Sequence, residues 1–323
     1  MNNSHNRHSA LGEATVLKNT AASLAIAGMA LIASAGLAQG PSSRPVFSGP
    51  AIMMDYGDGR VQSEETQIPI PDLFRTEAPF VERNVRLDYR GANNLQEPLA
   101  DESRFFTEVS YSFTDRLGIS FSAPLLIRDN FGAPDTSGFG DLEAGVRYVW
   151  VGYENEDPFK LAFGLNVVAP TGNVGQELGE GQTFIEPEVL LFRRVADRTF
   201  IQSQFSVGLP TGRSNLSSDF GWNFGVGHVY TDFAYSDYFK FPTAVIELNG
   251  ATAVGGINAG ATVVDVTPGL RWSIGSKTYG GVALSVPMTG PREFDAQLIF
   301  SLVYRYGPAD QEGRDPTSSR AYF

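Results

Sequence analysis

Residues 294–306 place the tightest constraint on what this chain can fold into. Every second residue there is apolar or aromatic (Phe294, Ala296, Leu298, Phe300, Leu302, Tyr304, Tyr306), and the set between them is Glu293, Asp295, Gln297, Ile299, Ser301, Val303 and Arg305. Period two is the signature of a strand, because successive side chains point to opposite faces. The predicted strand has one apolar face with aromatic ends and one largely polar face. In a soluble sandwich the polar face meets bulk water; in a membrane barrel the apolar face meets lipid and the polar face a lumen.

The same alternation recurs along the chain. It predicts strands through Val81 to Tyr89, Phe105 to Phe113, Leu117 to Ala123, Leu142 to Trp150, Leu161 to Ala169, Pro187 to Leu191, Ile201 to Leu209, Val264 to Trp272 and Val282 to Met288. Between residues 222 and 248 the phase breaks, since Trp222, Phe224 and Val226 do not align with Val229, Phe233 and Tyr235. A bulge near Gly227 accounts for the break, and two strands fit there. With residues 294–306 this makes about 12 strands. Short polar turns at residues 114–116, 154–158, 196–198, 236–238 and 275–277 alternate with longer Gly-, Pro- and Asp-rich connections. That is the arrangement of an all-β, antiparallel, up-and-down transmembrane barrel with short turns on one rim and loops on the other.

Aromatic placement points the same way. Phe113, Tyr148, Trp150, Phe159, Phe192, Phe200, Tyr235, Tyr238, Trp272, Tyr279, Tyr304 and Tyr306 fall beside the short turns or at the end of the barrel, where rings form an interfacial girdle. A thinner set (Phe105, Phe184, Trp222, Phe294) marks the opposite strand ends. Aromatics also seal soluble sandwich cores, which keeps a periplasmic β-sandwich binding protein as an alternative.

Ahead of the strands, the small apolar run at residues 21–38, closing on Gly36 and Ala38, reads as the core of a cleavable signal peptide over residues 1–38, with a single membrane helix as the alternative. Residues 39–80 are rich in Pro, Ser, Gly and Asp and hold no sustained period, so they are expected to be a loosely structured lead-in or a plug. The barrel is expected over residues 81–306 and a tail over 307–323. The chain has 36 acidic and 24 basic residues, a net charge of −12, which argues against nucleic acid as a partner. There is no Cys, so disulfides, thiolate metal sites and a lipoprotein anchor are excluded.

Three segments, Ala169-Pro170-Thr171-Gly172, Leu209-Pro210-Thr211-Gly212 and Val286-Pro287-Met288-Thr289-Gly290, each close a strand before a long connection. Proline ends the ladder because it lacks an N–H donor. Together with Gly138-Phe139-Gly140-Asp141-Leu142, Gly145 and Tyr148, and the alternating final strand, these residues resemble the outer-membrane transporter family associated with the MetA pathway of phenol degradation. The resemblance covers about residues 105–306. It implies an outer-membrane barrel that passes small solutes, including aromatic or other hydrophobic compounds, and carries over no binding residue. Such barrels are read by the barrel-assembly machinery through a terminal aromatic residue, here Tyr306 or Phe323.

No enzyme is expected. Beyond the leader the chain has one histidine, His228, with no Ser motif beside it, whereas a Ser-His hydrolase needs nucleophile, base and an orienting group in reach. One histidine also excludes a His-rich metal cluster; the acidic loop residues Glu177, Glu180 and Asp219 are read as solvated, and neither a metal nor a cofactor is expected. On the barrel reading Glu108, Glu143, Arg147, Lys160, Glu186, Glu188, Gln202, Gln204, Asp265, Arg271, Asp295 and Arg305 line the lumen. They either pair across it, making a structural barrel with a closed lumen, or line a wet channel for small solutes with a mild preference for cations.

Overall fold

The alternating segments join into one continuous ladder that closes on itself. A computed structural model describes residues 73–96, 99–152, 158–212, 218–230, 236, 238–254, 259–275, 277–290 and 292–306. The expected signal peptide and tail, and the lead-in as far as residue 72, lie outside the described residues. The strands are β1 (Asn84–Gln96), β2 (Leu99–Ser112), β3 (Leu117–Asn130), β4 (Thr136–Phe139), β5 (Leu142–Val151), β6 (Phe159–Ala169), β7 (Phe184–Ala196), β8 (Thr199–Pro210), β9 (Asp219–Val229), β10 (Lys240–Ala253), β11 (Thr262–Ile274), β12 (Thr278–Pro287) and β13 (Ala296–Arg305). Apart from β4 and β5, which both pair with β3 and not with each other, each pairs antiparallel with its chain neighbours, and β1 pairs with both β2 and β13. The short β4 and the longer β5 share the same edge of β3, so the two act as one stave. The result is a closed antiparallel barrel of 12 strands rather than two packed sheets, which disposes of the sandwich alternative.

The two faces of the wall differ as the alternation requires. Phe121, Tyr148, Phe163, Val226, Ile246 and Phe300 are among the large apolar side chains exposed on the outside, and they occur on strands all round the ring. The alternate positions, such as Asp88, Glu102, Lys160, Glu188, Glu247 and Arg271, are buried and therefore face inward. A strand of 10 residues such as β5, rising about 3.4 Å per residue and tilted about 40°, spans roughly 26 Å, close to the height of the apolar band of an outer-membrane barrel.

Four expectations are corrected. Residues 81–83 are not strand: Val81 is buried inside with Val149, Ala162 and Leu190, and β1 begins at Asn84. β9 runs without a bulge at Gly227, in unbroken register with both neighbours; Val229 breaks the apparent phase because it is an inward-facing apolar residue. The irregularity of that region lies in β10, where the register shifts between Lys240 and Thr243 and Phe241 has φ 49°. Phe192, Phe200 and Tyr279 are buried rather than part of an outer girdle. Finally, Phe294 is buried ahead of β13 instead of leading its apolar face, since the strand starts only at Ala296.

The Pro-Thr-Gly ends have a second role besides stopping the strands. The Thr171 hydroxyl accepts from Leu142 N and donates to Gly140 O, Thr211 donates to Thr183 O, and Thr289 accepts from Val264 N. Each threonine thus satisfies backbone groups that the end of the ladder would leave unpaired. Asp141 of the Gly-Asp-Leu motif holds the loop between β6 and β7 by accepting from Gly172 N and Glu180 N.

Candidate functional site in the lumen

The lumen is occupied by the chain itself. Residues 73–83, immediately before β1, cross it from the wall of β10 to β12 to the wall of β5 to β8, with β11 and β6 five staves apart round the ring. Leu73, Phe74, Thr76, Ala78 and Phe80 are each less than 5% exposed.

The crossing is held by charge and hydrogen bonds at both walls. The Glu247 carboxylate accepts from the backbone N–H groups of Phe74 (2.6 Å), Arg75 (3.0 Å) and Thr76 (2.8 Å) and from the Thr76 hydroxyl (2.9 Å). Three successive amides converging on one buried carboxylate satisfy an ion that would otherwise be costly to bury. Arg271 donates to Leu73 O (2.6 Å) and lies over the Phe74 ring at 4.2 Å, and Arg86 donates to Phe74 O (2.7 Å). Arg75 pairs with Asp265 at 2.8 Å. On the far wall Glu77 N donates to Gln204, while Arg147 donates to Ala78 O and pairs with both Glu77 and Glu188.

Below these polar anchors the lumen is apolar. Leu73, Phe74, Ala78 and Phe80 pack with Phe192, Phe200, Val229, Val245, Ala283 and Ile299 into one cluster toward the short-turn rim. Phe80 meets Phe192 at 5.3 Å, and Phe192 stacks on Phe200 at 5.9 Å. Burying Leu73, Phe74 and Phe80 stabilises the crossing by about 1.5–3 kcal/mol each. Glycines in the wall make the room: a side chain at Gly225 would start 2.0 Å from Leu73, and one at Gly269 would start 2.4 Å from the Phe74 ring. Cavities of about 60 Å³ lie beside the segment, among them one edged by Glu77, Arg86, Glu108 and Arg147 and one edged by Arg75, Asn249, Asp265 and Phe294. Each is large enough for a few water molecules.

The residues named from the alternation fall into four groups. Arg147, Glu188, Gln204, Asp265 and Arg271 face inward and join the network around the segment. Glu108, Glu143, Lys160, Glu186 and Gln202 occupy inward positions of their strands: Glu108 accepts from Ser110 at 2.8 Å, Glu143 from Ser122 at 3.5 Å, and Lys160 donates to Gly152 O beneath Phe80. Arg305 closes the short-turn rim, donating to Tyr279 Oη at 2.9 Å and lying 3.7 Å from Glu82, next to Tyr306, whose hydroxyl donates to Ser110 O and is raised in pKa by burial. Asp295 departs from expectation. It precedes β13, is exposed, and pairs with Arg292 and Asn94 at the loop rim, because the alternation there runs on past the end of the strand.

Glu247, Arg86 and the glycine sockets escaped the reading of the sequence. The signal for Glu247 was present, since it alternates between the outward Ile246 and Leu248, but the shifted register nearby concealed the strand. His228 lies on the outward face at the short-turn rim, where Nδ1 is 2.8 Å from the Thr199 hydroxyl and the ring meets Tyr230 edge-on. Among the described residues no three His, Asp or Glu side chains converge on a point that could hold a metal ion.

No family model matches the chain, and no curated protein matches its sequence. Solved structures do match it. The crystal structure of an outer membrane channel from Pseudomonas putida F1 superposes with a TM-score of 0.56 at 14% identity, covering 73% of this chain and 100% of that one. The fold is one that an outer membrane channel uses. The NanC porin (TM-score 0.47, 10% identity, covering 70% of this chain and 99% of that one) and the KdgM porin (0.45, 10%, 69% and 99%) are more distant matches.

Proposed function

We propose that this protein is an outer-membrane channel for small solutes whose lumen is closed in its resting state by residues 73–83. The observation that carries the proposal is the inversion of the wall: apolar side chains outside round the whole ring, and carboxylates, guanidiniums and amides inside. A soluble protein has no use for such a wall, whereas lipid outside and a polar passage inside require it. On this reading the partners are outer-membrane lipid, the barrel-assembly machinery and a small-molecule solute. The apolar layer formed by Phe192, Phe200, Val229 and Ile299 supports passage of aromatic or other hydrophobic compounds, in keeping with the family that the sequence resembles.

A second reading, a structural barrel that never opens, is favoured by the density of anchors on the segment. Planar-bilayer conductance of the full chain and of a chain lacking residues 39–80 separates the two. The channel reading expects rare, brief openings of the first and steady conductance of the second; silence in both, with no solute uptake into liposomes, leaves only the structural barrel.

A further inference from the structure

Phe74 sits in the wall as a ligand sits in a site. Its ring enters a socket shaped by two glycines, with Gly269 and Gly281 positioned so that a Cβ on either would come within 3 Å of it. One ring face lies under the Arg271 guanidinium at 4.2 Å. The amides on either side of the residue are read separately: the carbonyls of Leu73 and Phe74 accept from Arg271 and Arg86, and the N–H of Phe74 donates to Glu247. Glu247 and Arg271 are both 1% exposed and belong to the wall; Glu247 also accepts from Arg75 and Thr76, Arg271 reaches the Ser301 hydroxyl at 3.5 Å, and Arg86 also pairs with Asp88 at 2.8 Å. A plug that merely filled space would need apolar contact, not a ring socket with a donor pair on one edge and an acceptor on the other.

We infer that Arg86, Glu247, Gly269, Arg271 and Gly281 form a solute-binding site that the chain's own Phe74 occupies in the resting barrel. The solute class is a small aromatic ring flanked by neutral amides, as in an N-acylated aromatic amino-acid amide or a short peptide. Arg271 reads the acyl carbonyl on the nitrogen side of the residue, which an N-acylated compound supplies and a free amino acid lacks; the ammonium of a free amino acid would face Glu247 and its carboxylate Arg86, leaving Arg271 without its acceptor. The inference deepens the channel reading by giving the passage a first station, where solute and segment compete.

The test needs no conductance. The chain contains no cysteine, so Ala78→Cys, a buried position within the segment, supplies the only thiol. Its modification rate by a maleimide in the detergent-solubilised full chain reports how often the segment leaves the lumen. N-acetyl-phenylalanine amide is expected to raise that rate saturably, by about tenfold at ten times its dissociation constant for the open state, while N-acetyl-glycine amide leaves it unchanged. Adding Gly269→Leu, which fills the ring socket, gives fast modification without the probe and abolishes the response to it; Glu247→Ala provides the released reference if that variant does not assemble. A rate indifferent to the phenylalanine amide in the Ala78→Cys chain overturns the site. A barrel that responds to the amide but never conducts keeps the site and loses the channel reading, and one that conducts without responding loses only the site.

Discussion

Glu247 shows how much of this protein rests on one side chain. It is acidic, buried, and bonded to four donors from three consecutive residues. Replacing it with Ala leaves those backbone donors without a partner, at a cost of about 3 kcal/mol. Hydrogen exchange at Phe74, Arg75 and Thr76 is then expected to accelerate by about a hundredfold, with Glu247→Gln intermediate because it keeps an acceptor but loses the charge. Gly225 makes the complementary point through shape: Gly225→Val sets a branched side chain where Leu73 now lies. The variant is expected to expel the segment while the barrel persists, read as rapid tryptic cleavage after Arg75 and Arg83 that the parent chain resists. Gly225 does not announce itself in the sequence, since a glycine that makes room and a glycine that makes a turn are written identically. The inward aromatics are hidden for a related reason. Alternation tells which residues share a face, but Phe192 and Phe200 belong to an apolar layer within the lumen, so their type suggested the lipid side.

At the level of the strand, β13 carries the seam. Its register places Phe300 opposite Tyr89 of β1, with the rings 6.2 Å apart, and Gln297 opposite Ala92 on the inner face. Phe300→Arg puts a charge on the lipid face at a cost of about 2–4 kcal/mol near the midplane. It is expected to block assembly into vesicles, while Gln297→Arg, facing the lumen, assembles as the parent does; folding yield on a mild-detergent gel distinguishes them. Strands were the legible part of this fold. Period two located most of the staves and their facing, because the two solvents on either side of a barrel wall impose it residue by residue; β10, with its shifted register, was only inferred from the room left for it. It failed where that contrast fades: at residues 81–83, enclosed on all sides, and at Phe294 and Asp295, beyond the ladder's end. The crossing segment shows no period because its successive side chains meet different strands rather than two uniform media.

For the molecule as a whole, the wall's inversion makes an optical prediction. All three tryptophans, Trp150, Trp222 and Trp272, occupy outward positions of their strands. Reconstituted into vesicles of brominated phospholipid, the protein is expected to lose most of its fluorescence, with little quenching by aqueous iodide. Strong iodide quenching in the same vesicles is the opposite result and would place the tryptophans in water.

The position of the crossing segment directly before β1 also dictates an order of events in the making of the protein. Its anchors on β10 to β12 lie 171 to 210 residues further along the chain, so the segment is synthesised long before the groups that will hold it. The seam joins the first strand to the last, and is equally late. Threading through a finished ring would mean dragging Leu73, Phe74 and Phe80 past the charged inner face, whereas an open, half-curled sheet offers its glycine sockets freely. The direct route for the parent chain is therefore for the wall to close round a segment already lying against it, so that enclosure of the segment and closure of the seam coincide.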